Sequence, residues 1–288
     1  MRKVAVMTDS TCCLPADLVK QYDIEVVPLI INYQGKSFRD GVDITPSEVY
    51  EIMRLKKDLP TTSTASPAAF LKSYRELNQK AESILCITLT SLQSKTHETA
   101  LVAKNLAQEE QPQMTIEVMD SRSVAGALGF IALEAARAAS GGAGLAEVIS
   151  VARNVMGRVS LLAMLDTLYY LERGGRVGKA AAWAGSLLQV KPILEHSPVT
   201  GETMPVARPR TRANAVAYML KMMEERVKDA EVQVMVHHAG EPGEAEKLKK
   251  SIASRFNCTG LYTTEFTPMM GVHTGPGLLG ISYYRKTD

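Results

Sequence analysis

Short apolar runs alternate with helical stretches through the first half of this chain, and no other sequence feature constrains its fold so strongly. Residues 3–8 are a strand-length apolar run, followed by a polar loop and a helix entered through Pro15. Residues 25–32 read as a second strand, with turns at Gly35 and at Asp40-Gly41. Thr45-Pro46-Ser47-Glu48 combines Pro at a first helical position with a Thr-x-x-Glu capping box. A Thr-rich loop over 58–65 leads to Ser66-Pro67, which opens the next helix by the same logic. Residues 83–89 and 115–119 then read as strands, and 94–107 and 124–139 as helices. Strands separated by helices of this length predict a parallel sheet with helices on its faces.

Ser140-Gly-Gly-Ala-Gly144 ends that pattern, since three glycines in five residues stop a helix and loosen the chain. A helix over 145–156 follows, and the second half is mixed. Strands are expected at 160–164, 191–196, 203–207, 231–237, 260–266 and 280–285, with Thr200-Gly201 closing a hairpin. Helices are expected at 166–172, 178–188, 211–227 and 242–255. The chain has 288 residues, which at ~150 residues per domain suggests two domains. The expected division is 1–157, a parallel-sheet α/β domain, and 158–288, a mixed-sheet α/β domain.

Composition excludes several classes. The longest low-polarity run, 124–133, has ten residues, against ~20 for a membrane-spanning helix. Charge is nearly balanced, at 33 basic against 31 acidic residues, with no run of five basic residues. A nucleic-acid partner is therefore not expected. The apolar stretch after Met1-Arg2-Lys3 stops at Thr8-Asp9, too soon for a signal peptide, and the expected location is the cytoplasm.

Familiar catalytic motifs are missing. Gly35-Lys36-Ser37 resembles the end of a phosphate loop, but Ile30 stands where that loop needs glycine. No serine has glycine two before and two after it, so there is no nucleophile elbow. Cys12-Cys13 are adjacent rather than spaced as zinc ligands. His237-His238 ends a strand and reads as structural. Three other segments are informative together: the hydroxyl run Pro60-Thr61-Thr62-Ser63, the Ser94-x-Thr96 pair that opens a helix, and Gly271-Val-His273-Thr-Gly275-Pro-Gly277. Each alone is an ordinary cap or turn. Loops that leave strands for helices share one edge of an α/β sheet, where ligands bind. Hydroxyls with one imidazole suit a carboxylate leaving water without a full counter-ion.

These segments carry a resemblance. Thr8-Asp9-Ser10-Thr11, Pro60-Thr61-Thr62-Ser63-x-x-Ser66-Pro67, Asp120-Ser121, Leu168-x-Tyr170-Leu171-x-Arg173-Gly174-Gly175-Arg176-Val177-Gly178, Lys191-Pro192-Ile193-Leu194 and His273-x-Gly275-Pro276-Gly277 resemble the DegV family, in its order and over nearly the whole chain. The resemblance implies two α/β domains with a lipid site between them. It implies a long-chain fatty acid in a buried tunnel, presented to a separate ATP-dependent kinase subunit that phosphorylates its carboxylate. No cofactor is implied, and transient contact with a membrane surface is compatible with such a carrier. Thr62 would bond the carboxylate with help from Thr61, Ser94 would contact the same head group, and His273 would lie beside it. Arg176, Arg210 and Arg212 would face the kinase. Phe130, Leu133, Leu161, Leu162 and Met164 are tunnel-wall candidates. The chain departs from the family with Lys95 in place of the Gly of Ser-Gly-Thr, with Cys12-Cys13, and with Thr64-Ala65 where Gln-Pro is common. A rival reading is an acyl-transfer or hydrolytic enzyme using Ser94 as nucleophile and His273 as base. A third is a regulatory module that works through the arginines.

Overall fold

The computed structural model describes residues 1–55, 57–183, 190–197 and 199–286. Strand β1 (Arg2–Asp9) passes through a single 3-10 turn into helix α1 (Ala16–Gln21). Strands β2 (Glu25–Val27), β3 (Ile30–Tyr33) and β4 (Lys36–Arg39) precede α2 (Pro46–Arg54) and β5 (Thr61–Ser63). Then come α3 (Pro67–Asn78), β6 (Ala81–Thr88), α4 (Thr96–Glu110), β7 (Thr115–Asp120), α5 (Ala125–Ser140) and α6 (Leu145–Met156). The second half contributes β8 (Ser160–Met164), α7 (Tyr169–Arg173), β9 (Ile193–His196), β10 (Thr203–Ala207), α8 (Arg212–Val227) and β11 (Val232–His238). It closes with α9 (Pro242–Ala253), β12 (Cys258–Glu265), α10 (Pro268–Thr274) and β13 (Leu279–Arg285).

The strands form three sheets. A parallel four-stranded sheet has the order β2-β1-β6-β7, as the alternation predicts. A mixed six-stranded sheet, β10-β9-β8-β13-β11-β12, draws every strand from the second half. The third sheet, antiparallel β4-β3-β5, is not anticipated by the sequence reading. The single strand expected over 25–32 is divided at Pro28. Val27 pairs with Asp9 in the parallel sheet, whereas Ile31 pairs with both Phe38 and Thr62 in the small one. Pro28 has no N–H for a ladder, so the chain changes sheets there. The hydroxyl segment expected to be a loop is therefore a strand, β5. The reading also leaves α10 as loop, because Gly271 within it and Gly275 just after it hide a seven-residue helix.

Local signals hold where they were specific. Thr45 accepts from the Glu48 N–H, and the Glu48 carboxylate accepts from the Thr45 N–H at 2.7 Å, a complete capping box. The helix expected over 178–188 is a 3-10 segment, Gly178–Trp183, and residues 184–188 lie outside the described residues.

Helix α5 positions the two larger sheets. It is apolar on nearly every face and packs against both β1 and β13, as expected for a fully buried helix. Its Phe130 meets Tyr284 edge-on, with ring centroids 5.1 Å apart. The Tyr284 hydroxyl donates to Glu134, and Arg137 pairs with Glu134 while donating to the Tyr262 hydroxyl. This satisfied polar cluster fixes the register between α5 and the second sheet.

Candidate ligand-binding site

The C-terminal ends of β1 and β6, the small sheet, and one face of the six-stranded sheet enclose a cavity of about 340 Å³. Its apolar wall includes Leu29, Leu89, Leu161, Leu165, Leu194 and Phe266. Alternation along β8 decides which residues face it. Leu161 and Ala163 line the cavity, whereas Leu162 and Met164 point to the opposite face and join a separate core cluster under α8 and α9. Of the expected wall residues, only Leu161 lines the cavity. Phe130 and Leu133 are buried in the main core instead.

Thr62, Ser94, Lys95, Arg176 and His273 supply polar groups to this cavity. Thr62 points inward from β5, and its Oγ1 lies 2.8 Å from His273 Nε2. Thr61 is on the opposite face of the same strand, exposed and away from the cavity. Burial pushes the His273 imidazole down to a pKa of about 4, and nearby Arg176 pushes it further in the same direction. At neutral pH the imidazole is therefore uncharged, with Nδ1 buried and unpartnered. Gly174 makes this placement possible. A Cβ at that position would lie 2.6 Å from His273 Nδ1. Gly275, just beyond α10, has φ +75°, and a Cβ there would run into the Tyr170 ring at 2.2 Å. The double-glycine and Gly-Pro-Gly segments thus let α7 and α10 approach closely.

Ser94 belongs to a separate hydroxyl series. Its Oγ lies 2.8 Å from Thr96 Oγ1, which donates to Thr64 Oγ1 at 3.1 Å. Ser94 also accepts from the Thr96 N–H at 3.3 Å, at the start of α4. His273 bonds Thr62 and Ser94 bonds Thr96, so Ser94 and His273 are engaged with other partners rather than with each other. Lys95 is exposed at the rim and paired with Glu98 at 2.9 Å. The substituted position therefore adds a cation at the rim and leaves the hydroxyl series intact.

The three arginines separate. Arg176 lines the cavity and donates through Nε to the Gln93 carbonyl at 3.0 Å. Arg212 pairs with Asp166 at 2.8 Å and donates to the Gly277 carbonyl at 2.8 Å, bracing the Gly-Pro-Gly segment. Arg210 is exposed before α8 and away from the cavity. Cys12 and Cys13 are buried in the main core, and burial pushes the Cys12 thiol up to about 12 and that of Cys13 well above its usual value. Such thiols are inert. His237 lies between Thr264 and Ser282 at 2.9 Å from each, satisfied and buried.

Gln93, His196 and Thr203 line the cavity without having been anticipated. His196 Nε2 donates to the Arg122 carbonyl at 3.1 Å, and Gln93 donates to Thr203 Oγ1 at 2.8 Å. No local motif marks them: the β9–β10 hairpin delivers His196 and Thr203 from far along the chain, and Gln93 sits beside Ser94 in the loop before α4. No cluster of three or more His, Cys, Asp or Glu suited to a metal exists among the described residues. No helix among them is long and apolar enough to cross a membrane.

The fold and the cavity define an α/β protein with a largely apolar space, carrying several polar side chains, between its sheets. The chain belongs to the DegV family, whose model, described as an uncharacterised protein family, matches residues 3–286. A DegV domain-containing protein of Clostridium acetobutylicum is 35% identical over 286 residues, covering 99% of each chain. One from Caldanaerobacter subterraneus is 33% identical over 287 residues, 99% of this chain and 100% of the other. Among solved structures, a DegV family protein of Thermus thermophilus described by its fatty acid binding superposes with TM-score 0.91 at 29% identity, covering 99% and 100% of the two chains. DegV of Bacillus subtilis, described as a fatty acid binding protein, gives TM-score 0.89 at 29% identity, covering 99% and 100%. A stearic acid-binding protein of Eubacterium ventriosum gives 0.90 at 27% identity, covering 99% of each chain.

Proposed function

We propose that this protein binds a long-chain fatty acid in the cavity and presents its carboxylate to a separate ATP-dependent kinase subunit, acting as a cytoplasmic carrier rather than as an enzyme by itself. The observation that carries the reading is the Thr62–His273 pair, at 2.8 Å, on a largely apolar cavity. A neutral imidazole and a hydroxyl donate to a carboxylate without burying a fixed charge, and Ser94 adds a third donor. Arg176 supplies positive potential nearby. The cavity's size falls within the ~300–1,000 Å³ of small-molecule sites. Burial of a C16 tail contributes ~12 kcal/mol gross at ~0.8 kcal/mol per methylene, offset in large part by ordering on binding. The binding property in the printed names of the Thermus, Bacillus and Eubacterium relatives supports the same ligand class.

Kinase presentation rests on the family resemblance and on the exposed Arg210 beside the cavity-bracing Arg212. Lipid extraction with mass spectrometry tests the first step. Protein purified from cells, or incubated with fatty acid and re-isolated, is expected to release a near-stoichiometric fatty acid. A protein that carries none and takes none up would refute the reading. Acyl-phosphate formation with an added kinase subunit, lost on Arg210→Ala while lipid content is kept, tests the second.

A further inference from the structure

Helix α10, which carries His273, is capped by another part of the chain. Thr267 sits at its N-cap, yet its side chain makes no cap bond to the helix backbone. The Met269 N–H donates instead to Asp40 Oδ1 at 2.8 Å, from 229 residues earlier in the chain. Asp40 immediately follows β4, and its own N–H donates to the Leu29 carbonyl at 2.8 Å, closing the end of the small sheet. That sheet also carries Thr62, since Ile31 pairs with Phe38 on one side and Thr62 on the other. His273 is four residues after Met269, one turn along the same helix face. The small sheet therefore grips α10 twice, through Asp40 at its first turn and through Thr62 on His273 at its last.

We propose that Asp40 is a positioning residue for the head-group site: its carboxylate holds α10 against the small sheet, so that the Thr62–His273 pair is set before any ligand arrives. A local cap by Thr267 would stabilise the helix just as well and would leave no buried carboxylate. Asp40 is only 3% exposed, and although the Met269 N–H and the Ser10 and Thr267 side chains favour its ionised form, burial opposes it more strongly, so a carboxylate there is costly. What it adds is a fixed distance between two elements that are remote in sequence. Tyr50 assists from α2, donating to the Phe266 carbonyl at 3.0 Å just before the helix.

The inference rests on the fatty-acid reading only for its consequence, and the experiment separates the two. Five histidines make imidazole NMR signals of the ligand-free protein assignable. In Asp40→Ala the His273 signals are expected to shift and broaden as the Thr62 bond is lost, and labelled palmitate is expected to bind ~10-fold more weakly, the worth of about one hydrogen bond. Asp40→Ser, too short to reach Met269, serves the same purpose should the Ala variant not fold. Asp40→Asn keeps an acceptor at Oδ1 and is expected to restore both readouts. Leu248→Ala, in the remote core cluster, lowers stability without touching α10 and is expected to leave His273 unchanged. Unchanged His273 signals in the Ala or Ser variant, no rescue by Asn, or the same shifts in Leu248→Ala would each overturn the proposal. Failure of the parent to take up palmitate would overturn the ligand reading alone, because the NMR comparison needs no ligand.

Discussion

At the scale of single residues, the candidate site depends on contacts with almost no slack. Gly174→Ala would press a methyl group against His273 Nδ1, which lies 2.6 Å from that point. The variant is expected to fold and to lose fatty-acid affinity, because the ring must leave Thr62. Thr62→Val keeps the shape and removes the hydroxyl. It is expected to weaken binding by roughly tenfold, about 1.4 kcal/mol, measured by titration with a fluorescent fatty acid. Affinity equal to the parent in both variants would remove Thr62 and His273 from the head-group site. Residue types were legible in the sequence: hydroxyls and one imidazole in three loop-like segments. Their division was not. Thr61 and Thr62 are chemically alike, and only strand alternation in β5 turns one into the cavity and the other out. Arg176, expected to face a kinase, lines the cavity and bonds the Gln93 carbonyl, a placement that no local pattern gives.

At the scale of elements, caps and breakers were readable because they act locally. Thr45→Ala should cost ~1 kcal/mol through loss of the α2 capping box, seen as a lower midpoint in urea at unchanged slope. An unchanged midpoint would mean that tertiary packing, not the cap, holds that helix end. Pro28 is the opposite case. Its meaning as a switch between sheets needs knowledge of which strands flank it, and no window of residues 25–32 contains that. Helix α10 was hidden for a related reason. Its Gly271 weakens helix propensity, and its first turn is capped by a residue 229 positions away.

At the scale of the whole molecule, one continuous apolar core includes both Val4 and Tyr284. The proposed units 1–157 and 158–288 share it, so a single cooperative calorimetric transition is expected; two separate transitions would show that the halves are energetically independent. Acid should lower stability. Burial depresses His196 and His273 to about 4 and His237 to about 3, from an ordinary value of 6.5. The unfolded chain therefore binds these protons first, and stability present above pH 6.5 is lost progressively as pH falls toward 4. Asp40, raised by burial to about 6 from 3.8, acts in reverse, contributing stability below pH 3.8 that is lost as pH rises to about 6. Asp9, buried and raised as well, acts the same way as Asp40; four depressed histidines, His238 among them, outweigh these two carboxyls, so Tm is expected to fall between pH 6.5 and 4. A flat or rising Tm over that range would contradict the burial of the imidazoles.

The sequence by itself determined the layered α/β class, most of the element order and the chemical character of the site, because hydrophobic period, caps and turn residues act over a few positions. The tertiary structure alone decided which hydroxyl faces the cavity, which leucines form its wall, and that His273 is held by Thr62 and reached through Asp40. Those facts are distances between residues hundreds of positions apart, and they are set by sheet register and by the packing of α5 and α10, which no local pattern encodes.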